Sequence, residues 1–159
     1  MPVESFQSGP CGGTGGNTFT DDIPADGVKI ASIDIRHGNF IDAVTLNYSD
    51  STSSGRHGGG GGVSETVTFE SDEYLTEISG RYGNVVDSLL IRTNVQTFGP
   101  FGGNGGARDY RCQVPEENME IIGLFGSSGS FLDAIGIIAR QRVTAGAGLA
   151  VGVGKAKAA

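Results

Sequence analysis

Three aspartates, Asp42, Asp87 and Asp133, each stand four residues after a glycine, in "GNFID", "GNVVD" and "GSFLD". An ionised carboxylate offers about four lone-pair positions and accepts from two neighbouring hydroxyls at once. A glycine before it is expected to turn the chain through a positive φ and aim the next two amides inward. The product would be a small nest of N–H donors beside one acceptor, which suits a hydroxyl-rich ligand. A second element shares the beat. Gly-rich runs fill 12–16 ("GGTGG"), 58–62 ("GGGGG") and 102–106 ("GGNGG"). They give main chain with no Cβ in the way, so a ligand could approach a backbone N–H closely.

Spacing argues against coincidence. The Gly-rich runs begin 46 and 44 residues apart, and the aspartates 45 and 46 apart. From each run to the next GxxxD glycine the offsets are 26, 25 and 27. Two motifs on one period mark an internal repeat. The repeats run about 12–57, 58–101 and 102–142 within a domain spanning 1–142. The low-complexity Ala/Gly segment 143–159 lies outside them and is expected to be held by packing, a neighbouring subunit being the candidate.

The elements that must position these motifs read as strands. Apolar residues alternate in "VTLNY" (Val44, Leu46, Tyr48) and in "TVTFE" (Val67, Phe69), the period of half-buried strands. Ile33, Ile78 and Leu124 each stand five before a GxxxD glycine. The runs "AVTLNY", "SLLIRT" and "AIGIIA" follow the aspartates. No stretch has convincing helical periodicity. Pro24, Pro100 and Pro115 fall at plausible strand ends or turns. Each repeat can supply roughly four strands of ordinary length. Three such sheets would enclose one core, a prism viewed down its axis.

The totals agree. A chain of 159 residues with 28 glycines and 37% hydrophobic residues fits a loop-rich all-β domain. A net charge of −7 argues against nucleic acid and anionic membranes as partners. No segment reaches the roughly 20 apolar residues that span a bilayer. The start lacks a signal-peptide pattern, so a cytoplasmic or unconventionally secreted protein is expected. Cys11 and Cys112 have no metal-motif spacing, and spacing leaves their pairing open.

The GGxGG loops, the GxxxD turns and the closing "GSFLDAIGIIA" resemble the jacalin-related lectins, particularly their mannose-binding branch, over residues 11 to about 140. The resemblance implies a β-prism I fold of three four-stranded Greek-key sheets with pseudo-threefold symmetry. It implies sugar binding with no metal, cofactor or catalytic residue. Carried over from the family, the first site uses Gly16 with Ser130, Phe131 and Asp133. The second uses Gly62 with Asn39, Phe40 and Asp42, and the third Gly106 with Asn84, Val85 and Asp87. Each joins one repeat's GxxxD to the next repeat's glycine loop. The aspartate would bind O4 and O6, the two residues after the turn glycine would donate to O5 and O6, and the last loop glycine to O3. The galactose branch relies on a processed amino terminus at the glycine loop. Ten residues and Cys11 precede the loop here, so mannose or glucose is expected. Many members carry one or two such sites, and three here predict a multivalent agglutinin of mannose-containing glycans and glycoproteins, with a homodimer as the candidate assembly.

Other readings stay open at this point. The glycine runs read singly as hairpin turns, and the aspartates as turn formers bonding their own backbone. A structural or protein-binding prism, or galactose-type specificity, is the alternative. Calcium-binding nonapeptides need aspartate at a position held here by Asn17, Val63 or Ala107, and a period of nine. No GK[ST] follows a glycine run, and no Ser/His/Asp order or metal spacing suggests an enzyme. His37 and His57 precede the two halves of the second site and read as ordinary loop residues, a pH-sensitive second site being the alternative, and Phe101 precedes the third site's glycine loop. Phe40 and Phe131 read equally as sugar contacts or as core.

Overall fold

The computed structural model of the protein describes residues 5–143. Among them are twelve strands and no helix. In chain order they are β1 (Phe6–Gly12), β2 (Asn17–Thr20), β3 (Ile30–His37), β4 (Ile41–Tyr48), β5 (His57–Gly58), β6 (Val63–Thr68), β7 (Leu75–Tyr82), β8 (Ser88–Thr93), β9 (Thr97–Gly102), β10 (Arg108–Gln113), β11 (Met119–Ser128) and β12 (Leu132–Gln141). They form three four-stranded antiparallel sheets, ordered β5-β4-β3-β6, β10-β7-β8-β9 and β1-β12-β11-β2. This is the expected all-β prism. The segment 144–159 of the Ala/Gly stretch lies outside the described residues.

One plan serves all three sheets. A central hairpin (β3–β4, β7–β8 or β11–β12) carries a GxxxD motif across its tip. The strand after the hairpin, β5, pairs with β4, and β6 pairs with β3 on the far edge. The segment joining β5 to β6 must therefore cross the hairpin's mouth. That crossing segment is the glycine run. The Greek-key connection thus sets a Gly-rich loop over an aspartate, and does so three times. In space the units are 30–68, 75–113, and 119–141 together with 6–20. They are out of phase with the loop-to-loop repeats, because strand pairing assigns the second and third glycine runs to the hairpin before them and the first run to the last hairpin of the chain.

The alternating residues do what their period implies. Val44, Leu46, Tyr48, Val67 and Phe69 are all buried, whereas Thr66 and Thr68 are exposed. Ile33, Ile78 and Leu124 are each 2% exposed. Fully burying such an aliphatic side chain is worth about 1.5–3 kcal/mol. Polar tips of buried rings find backbone partners: the Tyr48 hydroxyl donates to Ile122 O at 2.7 Å and the Tyr110 hydroxyl to Ser88 O at 2.8 Å. Pro10 and Pro100 fall inside edge strands β1 and β9, beside register breaks, where a missing N–H costs no ladder bond. Cys11 and Cys112 are both free thiols. Burial pushes the Cys112 thiol up to about 11.

The three hairpin tips meet at one end of the prism. Ile41, Val86 and Leu132, the residues before the aspartates, are completely buried. Their backbones are linked around the axis: Ile41 N–H donates to Val86 O, and Val86 N–H to Leu132 O, both at 2.9 Å. The side chains of Phe40 and Phe131 meet edge to face, 5.3 Å between centroids.

Candidate functional site

Each aspartate lies against the last two glycines of one loop. A Cβ placed on Gly15 would stand 2.9 Å from Asp133 Oδ2, and one on Gly16 2.7 Å from Oδ1. For Gly61 and Gly62 the corresponding distances to Asp42 are 2.8 and 2.7 Å. For Gly105 and Gly106 to Asp87 they are 2.9 and 3.2 Å. The loops are pinned from behind. Gly13, Gly59 and Gly103 each donate at 2.9 Å to the carbonyl of Asp133, Asp42 and Asp87 respectively. In each proposed set, Gly16/Ser130/Phe131/Asp133, Gly62/Asn39/Phe40/Asp42 and Gly106/Asn84/Val85/Asp87, the loop glycine lies against the aspartate of the GxxxD turn. These three candidate cups, the first, second and third in that order, differ in that a cleft lined by the whole set is seen at the third.

The glycines divide the work differently from the expectation. The last loop glycines take the positive φ, +77° at Gly16, +73° at Gly62 and +100° at Gly106. The GxxxD glycines do not. At Gly38 a Cβ would meet nothing within 4 Å, and at Gly129 it would stand 3.7 Å from Gly16 Cα and 3.9 Å from Asp133 Oδ1. At Gly83 a Cβ would likewise stand 3.8 Å from Asp87 Oδ1 and 3.9 Å from Gly106 Cα. Gly83 and Gly129 thus leave room beside the aspartate and loop glycine of their cups, and none of the three GxxxD glycines supplies a left-handed turn.

Amides without a protein partner accompany each carboxylate in its own turn and loop. Among the described residues, the amides of Asn39 and Phe40, of Asn84 and Val85, and of Ser130 and Phe131 donate to no protein group, nor do those of Gly16, Gly62 and Gly106. Each cup thus has three unpaired N–H groups beside one carboxylate. Unpaired backbone donors persist where water or a ligand satisfies them. Desolvation raises the Asp133 and Asp87 carboxyls above the usual range. The Gly129 and Gly83 amides, and Arg81 beside Asp87, oppose that shift.

Arginines missed in the sequence hold two of the loops. Arg36 donates to Gly61 O at 3.0 Å and to Gly62 O at 3.1 Å. Arg81 donates to Gly106 O at 2.9 Å and pairs with Asp109 at 2.6 Å. Both stand two residues before a GxxxD glycine, in "RHGNF" and "RYGNV", a signal that was there to read. The histidines are also more than loop residues. His37 Nδ1 accepts from Gly102 N–H at 3.1 Å, so its Nε2 carries the proton that it gives Glu65 at 2.6 Å. His57 pairs with Asp21 at 2.6 Å and stacks on Phe19. A cleft of about 570 Å³ opens at the third cup, lined by Asn84, Val85, Asp87 and Gly106 and also by Phe40 and Phe131.

Residues 8–138 match the jacalin-like lectin domain family. The chain belongs to that family. This jacalin-like lectin is 36% identical over 157 residues to the jacalin-related lectin Calsepa of Calystegia sepium, covering 89% of this chain and 99% of Calsepa. It is 33% identical over 141 residues to jacalin-related lectin 3 of Arabidopsis thaliana, covering 81% of this chain but 22% of that longer protein. Its fold superposes on the Calsepa lectin solved in complex with a biantennary N-glycan, with a TM-score of 0.75, 32% identity and coverage of 89% and 100% of the two chains. It superposes on the artocarpin–mannotriose complex with a TM-score of 0.76, 29% identity and coverage of 87% and 99%. The jacalin-like lectin is therefore a β-prism carbohydrate-binding protein and not an enzyme.

Proposed function

We propose that all three cups bind mannose- or glucose-type hexoses without a metal. The observation that carries this is the threefold recurrence of one carboxylate set against two side-chain-free glycines and three unpaired amides. Asp133, Asp42 and Asp87 accept from O4 and O6. The amides of Ser130 and Phe131, Asn39 and Phe40, or Asn84 and Val85 donate to O5 and O6. Gly16, Gly62 or Gly106 donates to O3. The relatives support mannose over galactose. One solved relative holds mannotriose and another a biantennary N-glycan.

A shallow site with a millimolar constant corresponds to about −4 kcal/mol. Three cups at one end of a rigid body would raise avidity for dense glycans by about 10²–10⁴-fold. Calorimetry with methyl mannoside tests the reading. The native chain should bind with a stoichiometry of three, insensitive to EDTA. The Asp42→Ala/Asp87→Ala/Asp133→Ala variant should keep its fold and bind nothing. Mannose binding by that variant would refute the assignment.

A further inference from the structure

The third cup differs from the others at one position. It has Val85 where they have Phe131 and Phe40. The backbone bonds from Ile41 to Val86 and from Val86 to Leu132 gather the three tips at one end of the prism. Residues one place earlier on two tips are thereby placed near the cup of the remaining tip. For the third cup both flanking residues are phenylalanines, and both line the cleft there together with Asn84, Asp87 and Gly106. For each of the other cups, one of the two remaining tips contributes valine instead.

We propose that Phe40 and Phe131 form an aromatic subsite of the third cup. It takes a flat apolar face attached to the hexose held by Asp87, supplied by an aryl aglycone or by the C–H face of a second sugar ring. This rests on the sugar-binding reading above. The two rings, 5.3 Å apart and inclined at 70°, form an angled pair that stays half-exposed. The polar lining takes hydroxyls, and the aromatic pair takes carbon. A cleft of about 570 Å³ is the size of sites for ligands larger than one hexose, which span about 300–1,000 Å³. Val85 is small enough to leave it open. The phenylalanines of the first and second motifs thus set specificity in a cup to which their own motifs do not belong.

The Asp42→Ala/Asp133→Ala variant isolates the third cup. Calorimetry would compare methyl α-mannoside, phenyl α-mannoside and mannobiose. Phenyl mannoside should bind about three- to tenfold more tightly than the methyl glycoside, the range of one aromatic contact. A similar gain with mannobiose assigns the subsite to a second sugar as well, and a gain with the phenyl glycoside alone assigns it to an aryl group. Adding Phe40→Leu/Phe131→Leu should erase the gain, and so should Val85→Phe, which fills the cleft. Equal affinity for all three ligands, or a gain that survives both changes, would overturn the subsite while leaving sugar binding by the cup intact. Failure to bind any of the three would overturn both.

Discussion

Gly59 rests on the backbone of Ser130 so closely that a Cβ on Gly59 would overlap the Ser130 carbonyl oxygen. The loop of the second cup therefore leans on the tip of the first. Gly13 leans in the same way on Asn84, and Gly103 on Asn39. The three cups brace one another in a closed cycle, first on third, third on second, second on first. Gly59→Ala forces two backbones apart, and overpacking of this kind costs about 1–3 kcal/mol. Melting should fall by roughly 2–4 °C per kcal/mol for a chain of this size. Calorimetry on single-cup variants should show both the first and second cups weakened and the third unaffected.

Gly129→Ala should separate binding from stability. Its backbone is outside the left-handed region, and the nearest atoms to an added Cβ are at ordinary contact distance, 3.7 and 3.9 Å. Such a change is neutral or stabilises by about 0.4–1 kcal/mol through the unfolded chain. The methyl would fill the first cup. Stoichiometry should drop from three to two with an unchanged or higher melting temperature. Gly16→Ala is the contrasting case, because φ is +77° there and Ser128 O would lie 2.7 Å away. That variant should lose stability as well as the site.

Arg36→Ala removes two bonds to the carbonyls of the second loop. A neutral acceptor bonded by a charged donor contributes about 1.5–3 kcal/mol when the contact is desolvated, and less at this half-exposed position. Affinity at the second cup should fall a few-fold. The first cup, which has Ser127 at the equivalent place, should not respond.

Binding should respond to acid earlier than an ordinary carboxylate would. Desolvation holds Asp87 and Asp133 above the usual carboxylate range, and only the ionised form accepts from two hydroxyls. As pH falls through those raised values the first and third cups should empty. Titration of an Asp42→Ala variant by calorimetry would read this directly. The same shifts mean that ionising Asp87 and Asp133 costs the folded state stability. That cost is fully present above the raised folded values and disappears below the unfolded ones.

Glu73 has the opposite sign. It is fully buried. Burial alone would raise its carboxyl, but Thr93, the Glu70 amide, Gln96 and Lys29 together hold it below the usual value. Its contribution is therefore complete above the unfolded value and lost as pH falls through the lowered one. Melting followed against pH should show an acid-side loss that Glu73→Gln removes, at the expense of a lower melting temperature near neutrality.

Much of the site was legible because it is built from local pattern repeated on a period. Three aspartates and three glycine runs carried the pairing, and the alternation at Val44, Leu46 and Tyr48 carried the strands. What escaped was set by the third dimension. The phase of the units depends on which edge β5 and β6 join, and no local signal encodes that. The role of Gly83 and Gly129 as room-makers depends on what stands opposite them. Phe40 and Phe131 read equally as core and as sugar contacts, since a single motif does not show that they converge on a neighbour's cleft. Arg36 and Arg81 were visible as a shared letter, yet their partners are carbonyls, which leave no mark in a sequence.

One sheet is sewn from both ends of the chain, with β1 and β2 flanking β11 and β12. During synthesis, residues 6–20 emerge early and wait for partners that lie more than a hundred positions downstream. Gly16 has no carboxylate beside it until Asp133 has left the ribosome. The cup nearest the start of the chain is therefore the last to be assembled, and pairing over such a separation is intrinsically slow.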